Sequence, residues 1–188
     1  MNIILGSGSP RRRELLTQLG VQFTVAAPDI DEAVLPGELP VPYVERLAVA
    51  KAHAIDASAD ALVIAADTTV DIDGQILAKP VDADDAGAML RRLSGRTHTV
   101  HTGLAVRLGD RTVSEVVTSS VTFVEMADRD IEWYVGTGEP FDKAGAYAIQ
   151  GTGGVFVERV DGSVSNIIGL PLDTLVRLAA ELGVRLLG

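Results

Sequence analysis

Residues 7–13, Ser7-Gly8-Ser9-Pro10-Arg11-Arg12-Arg13, combine features that favour a bound anion. Ser9-Pro10 has the form of a helix N-cap and a first helical residue, which puts the three arginines in the first turn of a helix. There they oppose the helix dipole, each at about 0.3–1 kcal/mol when exposed. A polyphosphate would reverse that sign, because helix N–H groups and guanidinium forks both favour an anion. Gly6 and Gly8 would let the backbone approach the phosphates. The competing reading is a solvated basic patch beside a capped helix.

Further along, Lys51 falls in line with an apolar helical stripe (Val44, Leu47, Ala48, Ala54, Ile55), so it either snorkels or meets an anion. Asp67 follows the apolar run Leu62-Val63-Ile64-Ala65-Ala66. A carboxylate at a strand's carboxyl end can hold Mg²⁺ or take a proton from water, or it simply caps a turn. Asp73-Gly74 is a two-residue hairpin signal. It sets Thr68 opposite Lys79 and brings Lys79 near Asp67, although ideal pleating points Asp67 to the other face unless a bulge or strand end intervenes. Asp31 and Glu32 are paired acids on a proline-rich loop, able to complete a magnesium shell or merely be solvated. Glu139, Asp142, Lys143 and Gln150 lie in a second polar, glycine-rich stretch, where Gln150 could read a base edge with its amide. No spacing argument supports Ser165 or Asn166 as site residues. Trp133 and Tyr134 are expected in the core.

These residues need a scaffold, and the chain has the means to build one. Its 188 residues are 47% hydrophobic and 22% charged, enough to bury a core without staples. With no Cys and three His, disulfides and thiolate sites are excluded and zinc is not expected; any metal would be a hard cation on carboxylates. A formal charge of −10 disfavours polynucleotide and anionic membrane. No apolar run approaches a membrane span and no signal peptide is evident, so a cytoplasmic location is expected.

The spacing predicts a strand at residues 3–5, a helix stopped by Gly20, a strand around 21–25 and an extended loop at 26–41. A helix over 42–58, a strand over 61–66, a hairpin around Asp73-Gly74 and a helix over 82–93 follow. A long antiparallel pair is expected at 99–108 and 112–123. After it come a short helix capped by Asp128, a loop at 136–154, a strand at 155–160, a turn at Asp161-Gly162 and a closing helix over 172–182. The mixture is α/β.

Taken together, several blocks resemble the Maf family of nucleotide pyrophosphatases, part of the broader inosine-triphosphatase-like fold. They are Gly6 to Leu16, Asp29-Ile30-Asp31-Glu32, Leu47-Ala48 with Lys51-Ala52, Ala66-Asp67-Thr68, Lys79-Pro80, Leu93 to His98, Glu139-Pro140 through Gln150-Gly151, and Gly169-Leu170-Pro171-Leu172. The resemblance implies one domain over residues 1–188, an elongated mixed sheet with two lobes flanking a central cleft. It implies hydrolysis of a nucleoside triphosphate to the monophosphate and pyrophosphate with Mg²⁺ or Mn²⁺. Asp67 matches the catalytic base; Ser7, Arg12, Lys51 and Lys79 match phosphate-holding positions; Glu32, with Asp67, lies near the metal. Arg11, Thr68 and Gln150 match positions tied to base specificity. Arg11 and the block Lys143-Ala144-Gly145-Ala146-Tyr147-Ala148-Ile149-Gln150 resemble the branch acting on dTTP and UTP, with Gly6 and Ala148 as small departures. The alternatives are the same chemistry on 7-methyl-GTP or non-standard purine triphosphates, and a nucleotide-binding regulator of septum formation. A homodimer is left open.

Overall fold

The computed structural model of the protein describes residues 2–188. In chain order the elements are β1 (Ile3–Leu5), α1 (Pro10–Gln18), β2 (Thr24–Val25), α2 (Pro40–Ala54), β3 (Leu62–Ile72), β4 (Gln75–Leu77), α3 (Ala83–Leu93), β5 (Thr97–Leu108), β6 (Arg111–Phe123), α4 (Asp128–Gly136), β7 (Val157–Asp161), α5 (Val164–Ile168) and α6 (Leu172–Glu181). Short 3₁₀ segments occupy Glu139–Asp142, Ala144–Ala146 and Thr152–Phe156.

The strands make one mixed seven-stranded sheet in the order β2-β1-β3-β5-β6-β7. β5 covers one edge of β3 from Leu62 to Asp71. The other edge is shared: β1 pairs in parallel with Leu62–Ile64, and β4 pairs antiparallel with Val70–Ile72. Between them, at residues 65–69, no strand among the described residues pairs with β3. The Asp73-Gly74 hairpin forms as expected, with both residues at positive φ (58° and 76°), the backbone of a type I′ turn.

Alternation assigns the two faces of β3. Leu62, Ile64 and Ala66 join β1, α1 and α6 in one core, while Val70 and Ile72 join α3, α4, Phe123 and Tyr147 in a second. Both cores lie on the same face, separated by a polar seam. In it Thr68 Oγ1 lies 2.9 Å from Thr102 Oγ1, Thr102 Oγ1 donates to Asn166 O at 2.9 Å, and Asn166 Nδ2 donates to Ser119 Oγ at 2.9 Å. This seam divides the sheet into the two expected lobes. On the opposite face α2 packs Ala48 and Ala52 on Val63, Ala65 and Ala105. Gly103, directly opposite Asp67, makes that approach possible: a Cβ there would stand 2.2 Å from Val44 O.

Several boundaries differ from expectation. The strand expected to stop at Ala66 continues to Ile72, because the β-branched Thr68, Thr69 and Val70 each pair with β5. α2 begins at Pro40 rather than Pro42, and both prolines fit a first turn whose N–H groups have no helical partner. It ends at Ala54 rather than near Ser58, where Arg107 Nε donates to Ala52 O (3.0 Å) and Nη2 to Ile55 O (2.7 Å), so a guanidinium from β5 caps the helix. Asp128 is the first residue of α4, not its cap; its carboxylate accepts from Arg91 Nε at 2.7 Å. Tyr134 is fully buried, but Trp133, one position along the helix, is 54% exposed.

The second core holds a pH-sensitive element. His98 is buried among Phe123 and Tyr147, with Nε2 2.8 Å from Tyr147 Oη and Nδ1 without a partner among the described residues. Burial lowers its pKa from 6.5 to about 4. The folded state therefore binds fewer protons than the unfolded chain below pH 6.5. Stability is full above that pH and falls by about 1.4 kcal/mol per pH unit down to about 4, roughly 3 kcal/mol in all. Thermal melts from pH 7 to 4 should show this slope, and His98→Gln should flatten it; an unchanged slope in the variant would assign the acid sensitivity elsewhere.

Candidate active site

The gap on β3 is the floor of a cleft of about 590 Å³, a usual size for a small-molecule site. Because it opens on an unpaired strand edge, residues from both faces of β3 reach it. Asp67, on the α2 face, and Thr68, on the seam face, both line it without any bulge at 67. Asp67 therefore stands mid-strand beside the end of β1, not at the carboxyl end of its own strand.

From the α2 side, Lys51 extends toward the cleft and is only 7% exposed. Its Nζ lies 2.6 Å from Asp67 Oδ1 and 2.7 Å from Glu32 Oε1. Of the two readings of this lysine, the anion partner is the one observed. Burial pushes the Asp67 carboxyl above the usual carboxylate range, opposed by Lys51 and Arg12. Asp67 Oδ2 accepts no hydrogen bond from the described residues. The loop carrying Glu32 is tethered by Tyr43, whose Oη donates to Glu32 O at 3.1 Å. Burial, with Asp67 and Glu32 nearby, pushes that phenol up to about 12, so it stays a donor. Tyr43 was absent from the expected stripe, although residues 43, 47 and 51 are spaced i, i+4, i+8, the signal that could have found it. Asp31 turns away: its Oδ1 accepts from Ala33 N at 2.9 Å in a local turn.

From β1, residues 6–9 form the near rim. Ser9 caps α1, with its side chain accepting from Arg12 N. Arg12 Nε donates to Gly169 O (2.8 Å), Nη1 to Ser7 Oγ (3.0 Å) and Nη2 to Thr68 Oγ1 (3.0 Å). Three of its five donors are thus used, which leaves two. Arg11 reaches across the cleft mouth, its Nη1 3.0 Å from Asp142 Oδ2 and its Nη2 3.2 Å from Asp142 O. Arg13 is exposed and does not line the cleft, so the arginine cluster contributes two members rather than three.

The far rim comes from the hairpin and the 3₁₀ segments. Pairing of β4 ends at Leu77, so Lys79 lies beyond the ladder that would have set it opposite Thr68. It is exposed, lines the cleft, and has no ion-pair partner among the described residues. Gln150 also lines the cleft from an exposed position. Lys143 lines it too, pairing with Asp142 and donating to Glu139 O at 2.9 Å. Asn166 is fully buried in the seam and Ser165 is absent from the lining. The nine residues that the family resemblance assigns to the site, Ser7, Arg11, Arg12, Glu32, Lys51, Asp67, Thr68, Lys79 and Gln150, border this one cleft, whereas Asp31, Arg13 and Glu139 do not.

Five basic side chains (Arg11, Arg12, Lys51, Lys79, Lys143) face three carboxylates (Glu32, Asp67, Asp142) in the lining. The cleft therefore carries a local positive surplus within a chain of net charge −10. Among the described residues no three His, Asp or Glu side chains gather into a metal cage. Glu32 and Asp67, however, both converge on the Lys51 ammonium, so their oxygens can surround one cationic position. That donor set fits a hard divalent ion that takes one or two carboxylates and completes its shell with water and phosphate oxygens.

The sheet, its two lobes and this cleft define an α/β protein with a cationic cleft beside a buried, lysine-paired carboxylate. The model of the family described as Maf-like protein matches residues 2–182, and the chain belongs to that family. A dTTP/UTP pyrophosphatase of Anaeromyxobacter dehalogenans is 52% identical over 185 residues, covering 96% of this chain and 94% of that protein. One of Myxococcus xanthus is 51% identical, covering 98% and 94%. A HAM1 protein from Coxiella burnetii shares the fold with a TM-score of 0.51 at 16% identity, over 97% of this chain and 98% of that one.

Proposed function

We propose that the chain, as one domain over residues 1–188, is a nucleoside triphosphate pyrophosphatase that converts dTTP and UTP to the monophosphate and pyrophosphate. The observation that carries this reading is a buried carboxylate, Asp67, facing a cleft with a surplus of cations in a strongly acidic chain. The names of relatives at 50–52% identity support the substrate class.

In this reading water attacks the α-phosphorus. The new bond is between water oxygen and phosphorus, the α–β bridging bond breaks, and pyrophosphate leaves. Asp67 takes the water proton on Oδ2, since Oδ1 is held by Lys51. Lys51, Lys79, Ser7 and the two spare donors of Arg12 hold phosphate oxygens and spread the developing charge. Glu32 and Asp67 would hold a divalent ion, Mg²⁺ or Mn²⁺, which when bound neutralises phosphate charge. Arg11, Thr68 and Gln150 address the base. Asp142 holds Arg11 at the cleft mouth, so the base meets Arg11 either with Asp142 still attached or with a base carbonyl in its place.

The test is pyrophosphate release from dTTP, UTP, CTP, 7-methyl-GTP, ITP and the common purine triphosphates with Mg²⁺. Turnover led by dTTP and UTP is expected. A purine in the lead would discard the base assignment and keep the chemistry. Nucleotide binding without any turnover would overturn the enzymatic reading in favour of a regulator.

A further inference from the structure

Gln150 sits on a short segment, Ala148–Gly153, which one pair of side chains, buried Tyr134 and half-buried Glu139, fixes at both ends. At the near end Tyr134 Oη accepts from Ala148 N at 3.2 Å. At the far end Glu139 Oε2 accepts from Thr152 N at 2.9 Å and Oε1 from Gly153 N at 3.0 Å. The two clamps are joined, because Tyr134 Oη donates to Glu139 Oε1 at 2.7 Å. The segment also has no slack at the clamp. A Cβ at Gly151 would lie 2.5 Å from Glu139 Oε2, and one at Gly153 would lie 2.5 Å from Tyr134 Oη. Burial pushes the Glu139 carboxyl up, but the donors from Gly153, Tyr134 and Thr152 outweigh it and hold the group below its ordinary value. Glu139 does not line the cleft; its carboxylate is turned to Tyr134, Thr152 and Gly153 instead.

We infer that Glu139, through Tyr134, is a positioning residue for base discrimination: it locks the Ala148–Gly153 segment so that Gln150 meets the nucleobase in one geometry. The inference rests on the proposed role of Gln150 in addressing the base. A carboxylate is the side chain this place requires, because every group aimed at it is a donor. An amide would set its own NH₂ against one of those N–H groups and release part of the segment. The phosphate side of the cleft, built from β1, β3 and α2, shares none of these bonds.

The experiment compares wild type, Glu139→Gln and Tyr134→Phe by two readouts. One is the ratio of kcat/KM for the preferred triphosphate over the most disfavoured one. The other is the inhibition constant of inorganic tripolyphosphate, which has phosphates and no base. Glu139→Gln should shrink the ratio about tenfold or more, the scale of a lost charge-assisted hydrogen bond, with tripolyphosphate inhibition unchanged. Tyr134→Phe keeps the Thr152 and Gly153 bonds, frees Ala148 N, and should shrink the ratio about threefold. It decides the matter alone if Glu139→Gln does not fold. An unchanged ratio, or weakening of tripolyphosphate inhibition in step with the ratio, would overturn the inference. Wild type led by a purine would instead sink the pyrimidine reading, and the change in ratio would still report on Glu139.

Discussion

Asp67→Asn is expected to lower pyrophosphate release by roughly 10³-fold or more, within the range of a lost general base, while leaving the fold in place. The side chain is nearly isosteric, and the introduced amide oxygen can still accept from Lys51. Lys51 also keeps its second partner, Glu32, at 2.7 Å, so no buried charge is left alone. The stability cost is therefore about 1–2 kcal/mol, the scale of one weakened hydrogen bond to a charge. Steady-state assays and a thermal melt on the same preparation separate the two effects. Near-normal turnover in this variant would remove Asp67 from its role as base, and a collapsed melt would show that the ion pair is chiefly structural.

Gly103→Ala is expected to be the most damaging single methyl group in the molecule. Gly103 lies opposite Asp67 on β5, and α2 crosses it so closely that a Cβ would meet Val44 O at 2.2 Å, Val44 C at 2.5 Å and Glu45 N at 2.9 Å. All three are backbone atoms, so no rotamer change relieves the clash and the helix must move by about 1 Å or more. Overpacking of this kind costs about 3 kcal/mol or more, a fall in Tm of roughly 6–12 °C for a chain of this size. The displacement also carries Tyr43 and Lys51 away from Glu32 and Asp67, so activity should fall further than stability alone explains. A variant with wild-type melting and turnover would contradict the close crossing of α2 on the sheet.

The chemistry-bearing residues were legible because their sequence positions conflict with local rules. Arginines in a first helical turn and a lysine in an apolar stripe each admitted an anion partner beside a blander reading, and the fold supplies one to Lys51. The hairpin and the helix capped by Asp82 were legible because they depend on local backbone chemistry alone. What the sequence could not show depends on tertiary partners. Arg107 ends α2 from another element, and Arg91 recruits Asp128 away from a capping role. Asp67, following the apolar run Leu62 to Ala66, suggested a strand end. It is instead the point where β3 crosses the polar seam between the lobes, with the missing neighbour on one edge forming the cleft. Nothing local to Gly103 announces that α2 crosses it, because the close approach comes from a distant helix. Asp31 and Arg13 had the right charge for the site but fall on the outward side of their local turns.

The most direct test of the central claim is turnover of dTTP or UTP in ¹⁸O-labelled water, with the label located in the products. Attack on the α-phosphorus, next to Asp67, predicts one labelled oxygen in the nucleoside monophosphate and none in pyrophosphate. Label in pyrophosphate, or release of labelled orthophosphate in its place, would mean attack at the β- or γ-phosphorus and would contradict the account.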